Sequence, residues 1–124
     1  MKFMLLIYND HSMLDTLPQE EGDEMMRTCL SHADELKLEG SLIESQMLMP
    51  PATAKTMRAR NGRMTVVDGP FAEVKEMLGG FNLIEAKDMD EAVAIASAFP
   101  WSKTGSIEIR PVQEIADVRQ RVFA

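Results

Sequence analysis

The chain has 124 residues, 45% hydrophobic and 27% charged, with a formal net charge of −7. That is enough for one self-sufficient domain, expected to span 1–124. It is too acidic for a nucleic-acid surface, which needs clustered Lys and Arg. The single cysteine excludes an internal disulfide, so a reducing cytoplasm is the expected location.

The opening MKFMLLIY places six apolar or aromatic residues after a lysine. That is too short for a signal-peptide core with its cleavage site and far too short to span a bilayer, so no membrane partner is expected. Phe3 to Tyr8 reads as a strand apolar on both faces, as in a strand covered from both sides. Asn9 to Gly22 reads as a polar loop. From Asp23 to Glu39, Met25, Met26, Cys29, Ala33 and Leu36 recur at helical spacing, and Gly40 supplies the stop.

Ser41 to Met49 reads as a strand closed by Pro50-Pro51. Asn61-Gly62 between Thr53–Arg60 and Arg63–Val67 predicts a hairpin, because both turn residues tolerate positive φ. Within VVDGPFAEVKEMLGG, Asp68 can cap a short helix over Ala72 to Leu78, with Pro70 presetting its first turn and Gly79-Gly80 ending it. Gly79 to Ala86 is the next strand. Asp88 with Glu91 opens an alanine-rich helix that Pro100 ends. Ser106 to Val112 is the last strand, and the tail to Ala124 adds a short helical turn.

Strand, helix, strand, hairpin, strand, helix, strand is the order of a ferredoxin-like α+β sandwich: an antiparallel sheet with two crossover helices on one face. Two helices cover one face only, yet the first strand is apolar on both. A partner subunit is the simplest cover for the second face, so a homodimer is expected.

MKFMLLIY, Thr56-Met57-Arg58, DGPFAEVKEMLGGFNLIEA, DMDEAVAIASAFPW and GSIEIRPV resemble the YCII-related family, and within it the DGPF branch. The likeness runs over nearly the whole chain. It implies a small dimeric α/β barrel-like protein related in fold to muconolactone isomerase. It also implies a His-Asp pair, proposed for some hydrolase- or lyase-like relatives, and a regulatory setting, since DGPF members often neighbour alternative sigma factors. In relatives that carry a helical histidine, that residue falls nearer Cys29 than His32.

Read from the residues, Asp68 is either a turn cap or a carboxylate poised for proton transfer, and His32 on the border of the helix's apolar stripe is its natural partner. Arg58 and Arg110 either pair with carboxylates at an interface or clamp a small carboxylate ligand; Glu73 and Lys75 join them as binding candidates. Cys29, on the apolar stripe, reads as packed and inert. No metal-ligand cluster, phosphate loop or nucleophile elbow is present, and no cofactor is expected. Two functions follow. One is a cofactor-free enzyme doing acid-base chemistry on a small carbonyl-containing or lactone-like acid, with Asp68 and His32 moving protons. The other is a non-catalytic dimeric module that binds a ligand or a protein.

Overall fold

The two-sided apolar run forms β1 (Lys2–Asp10), a central strand in the computed structural model, which describes all of residues 1–124. Its neighbours are β5 (Glu76–Glu85) and β6 (Gly105–Pro111), and β2 (Leu42–Met47) pairs with the outer side of β5. The order is therefore β2-β5-β1-β6, with every pair antiparallel. Two long connections, α2 (Gln19–Glu39) and α3 (Met89–Ser97), pack on one face in the ferredoxin-like manner. No helix is long and apolar enough to cross a membrane.

Period-2 alternation decides which side chains meet the helices. Phe3 and Leu5 point inward with Ile84 of β5 and pack against Leu36 of α2, Ala92 and Ala96 of α3, and Phe99. Phe3, Leu5, Ile84 and Phe99 are at most 1% exposed, and each such burial is worth about 1.5–3 kcal/mol. The i, i+4 spacing of Ala92 and Ala96 keeps bulk off the face that α3 turns to the sheet. Met4, Leu6 and Tyr8 point the other way, onto a face that carries no helix.

Helix α2 begins at Gln19, four residues before the expected start at Asp23, so the expected 9–22 loop is partly helical. Glu20 and Glu21 in its first turn favour that start through the helix dipole. The rest of the stretch holds the end of β1 and a single turn, α1 (His11–Leu14), whose cap is Asp10. Gly40 ends α2 in the left-handed conformation, φ 81°, as expected. Asp88 caps α3 by accepting from the Glu91 amide at 2.9 Å. The tail forms α4 (Ile115–Phe123).

The hairpin of β3 (Lys55–Arg60) and β4 (Arg63–Asp68) turns at Asn61 and Gly62, φ 54° and 74°. It is a separate two-stranded ribbon, and all six residues of β4 are exposed.

The helix expected over Ala72 to Leu78 is not there. Residues 71–75 are irregular, β5 starts at Glu76, and Gly79-Gly80 lie inside that strand rather than stopping a helix. A helix this short needs its cap to offset a costly nucleus. Asp68 caps nothing, because its carboxylate is drawn back to Lys55 Nζ at 2.6 Å. Glu76 to Leu78 instead gain ladder pairing with Asp10 to Tyr8. The register slips where β5 passes Ile7 and Tyr8, leaving Gly79 as the extra residue of a bulge.

Candidate functional site

The residues singled out in the sequence do not meet in one place. Asp68 is 85% exposed and paired only with Lys55. Arg58 lies on the exposed ribbon, where Nη2 donates to the Phe71 carbonyl at 3.2 Å and staples the DGPF turn. Thr56 adds a second staple by donating to the Gly69 carbonyl at 2.8 Å. His32 faces α3: Nε2 is 2.9 Å from the Ile95 carbonyl, and its ring stands edge-on to Phe99 with centroids 4.5 Å apart. A carbonyl only accepts, so Nε2 carries the proton there. No hydrogen bond or ion pair joins His32 to Asp68.

Arg110 projects from the open face of the sheet beside Glu108 and Tyr8, so it is not on the covered face. The Tyr8 hydroxyl donates to Glu108 Oε1 at 3.1 Å. Partial burial, and after it Glu108, push the Tyr8 phenol above its ordinary pKa, with Arg110 pulling the other way. Glu73 is exposed. Lys75 Nζ lies 3.7 Å from Asp10 Oδ2, whose side chain is only 4% exposed. Ser12 hydrogen bonds are the main reason the Asp10 carboxyl sits below its usual pKa, and Lys75 adds to them.

A different place has the shape of a site. Between the first half of α2 and the sheet lies a cavity of about 160 Å³. Gly79 and Gly80 form part of its sheet floor, and Gly22, with open space around its Cβ position, lies on the helix above. Gly79 has a second role, since a Cβ there would strike the Asn9 amide, which lies across it. Met25, Met26 and Cys29 form the helix wall and Trp101 closes one end. The indole Nε1 donates to Cys29 Sγ at 3.3 Å. Burial still pushes the Cys29 thiol above its ordinary pKa, so it stays protonated and is a poor nucleophile at neutral pH. The polar wall is made of Asn9, Ser45, Gln46 and Asn82, with Ser45 Oγ donating to Asn82 Oδ1 at 2.6 Å. No Asp, Glu, His, Lys or Arg lines it.

A larger, shallower groove of about 720 Å³ runs along the open face, between Tyr8, Leu78, Val74 and Phe71. His32 borders a third, polar depression together with Glu24, Arg27 and Glu35.

Across residues 1–116 the chain matches the family model described as the YCII-related domain. It belongs to the YCII-related family. An uncharacterized protein of Rhizobium meliloti (strain 1021) is 38% identical over 114 residues, 90% of this chain and 92% of that one. Among solved structures, a 5-chloro-2-hydroxyhydroquinone dehydrochlorinase from Burkholderia phenoliruptrix AC1100, in complex with 2,5-dihydroxybenzoquinone, superposes with a TM-score of 0.54. That match covers 92% of this chain and 95% of the other at 16% identity, a likeness of fold.

In this YCII-related chain one signal in the sequence pointed at the cavity. Asn82 stands in phase with Gly80 and Ile84 on the buried side of β5, and a polar residue in such a row needs a reason. Trp101 carried no local signal: its role arises only when the turn after α3 folds back beside α2.

Proposed function

We propose that this protein is a homodimeric binder of a small single-ring molecule, held in the cavity between α2 and the sheet. The observation that carries the reading is the cavity's volume together with its lining. About 150 Å³ of apolar space holds one benzene-sized ring in another protein, and this cavity measures about 160 Å³. Its wall is mainly apolar with a few amides and one hydroxyl, the usual mix for a small-molecule site. The dehydrochlorinase of the same fold was solved with a one-ring compound, which is consistent with this reading.

The dimer rests on the open face. Leu78, Phe71 and Val74 are 41%, 76% and 60% exposed there, and one face of the ribbon exposes Met57, Met64 and Val66. An apolar surface of that extent calls for a second layer.

Acid-base turnover of a small carbonyl-containing or lactone-like acid is the second reading. Asp68, His32, Arg58, Arg110, Glu73 and Lys75 all lie outside the cavity of their own chain. In this reading Asp68 and Arg58 serve the neighbouring subunit's cavity, because their ribbon stands apart from its own sheet.

Trp101 is the chain's one tryptophan and lines the cavity, so its fluorescence reports occupancy. A titration with phenol and hydroquinone should give a saturable change in the wild type and in Asp68→Asn. Gly22→Leu should abolish it, since a side chain at 22 meets nothing and grows into the opening. A response that survives Gly22→Leu but vanishes in Asp68→Asn would move the site to the DGPF turn and favour the second reading.

A further inference from the structure

We infer that the cavity selects an uncharged ring carrying a carbonyl oxygen, and that Asn82 is the residue that reads that oxygen. The inference rests on the cavity being the ligand site and adds the class of ligand. Asn82 is only 5% exposed. Its Oδ1 is satisfied by the Ser45 hydroxyl at 2.6 Å, but its Nδ2 has no acceptor within the protein. The amide is not sealed inside the protein, where only Thr104 Oγ1 goes without a partner, so it keeps access to a ligand. It lies on the wall of a cavity, where a ligand oxygen can reach it.

The other polar groups sharpen the choice. Gln46 Nε2 is engaged with Glu44 Oε1 at 2.7 Å, and of the two remaining wall amides Asn82 belongs to a buried residue whereas Asn9 is only half-buried. Ser45 has spent its proton on Asn82, so toward the cavity it offers only lone pairs. It can therefore accept from a ligand hydroxyl beside the carbonyl.

A carboxylate is excluded as the preferred group by charge. No cationic side chain lines the wall, and an anion there would be buried without a counter-charge. The thioethers of Met25 and Met26 and the indole of Trp101 suit the faces and edge of a ring.

The test measures dissociation constants by saturation-transfer NMR for cyclohexanone, toluene and cyclohexanecarboxylate, with wild type, Asn82→Leu and Gly22→Leu. In the wild type cyclohexanone should bind and cyclohexanecarboxylate should be the weakest. Asn82→Leu should weaken cyclohexanone about tenfold while leaving toluene unchanged or tighter. Ser45→Ala, on an exposed strand, guards against misfolding of the first variant. It frees the amide to rotate and should weaken cyclohexanone about threefold with toluene unaffected. Equal losses for both rings, no loss for cyclohexanone, or strongest binding by the carboxylate would overturn the role of Asn82 and leave the cavity standing. Binding of both rings that persists in Gly22→Leu would instead overturn the cavity as the site.

Discussion

At Gly105 a Cβ would overlap the Tyr8 carbonyl oxygen, because β6 crosses β1 there with no room for a side chain. Gly105→Ala should therefore cost about 3 kcal/mol, in the upper range for overpacking, read as a lower urea midpoint at unchanged slope. Asp10 makes a pH prediction. Its carboxyl is held below the ordinary value near 4 by Ser12 and, more weakly, Lys75. The ionised form thus contributes stability that is present above the unfolded-state pKa and is lost as pH falls through the lower folded-state pKa. Asp10→Asn should lower stability at pH 7 and flatten its fall below about pH 4; an unchanged pH profile would show that Asp10 contributes nothing. Neither residue's importance was legible locally. Asp10 lay in what reads as a polar loop, and its burial depends on the Thr104 carbonyl and Lys75, distant in sequence.

Among the elements, those with their own periodicity and caps were legible: β1, α2 through Gly40, the Asn-Gly hairpin, and α3 from Asp88. The DGPF segment reads as helix in the sequence because its helix signals are local, while the competing interactions are not. Lys55, thirteen residues earlier, takes the carboxylate meant for the cap, and β1 offers a ladder to Glu76 and beyond. An exposed pair such as Lys55–Asp68 contributes about 0–1 kcal/mol. Asp68→Asn should therefore change stability by less than about 1 kcal/mol in chemical denaturation. A loss several times larger would mean that the turn supports an interface rather than only itself. His32 was half legible: the border position was right, but the neighbour is α3 and not the turn.

At the scale of the molecule, the layer count in the sequence already implied an uncovered sheet face, and Tyr8, Leu78 and the groove beside them occupy it. Leu78→Asp should convert a dimer to a monomer in sedimentation velocity, whereas a wild type that sediments as a monomer would remove the basis for the second layer. The position of the cavity was not legible. It depends on three glycines and a tryptophan from three separate segments coming together. The most direct test of the cavity as the functional site uses the chain's eleven methionines, labelled at their methyl carbons. Met25, Met26 and Met47 line the cavity, while Met49 and Met77 line the open groove and Met57 and Met64 lie on the ribbon. On titration with cyclohexanone, the account predicts shifts at Met25, Met26 and Met47 with the others still. Shifts at Met49 and Met77, with the cavity methyls unmoved, would contradict it and place binding at the DGPF turn.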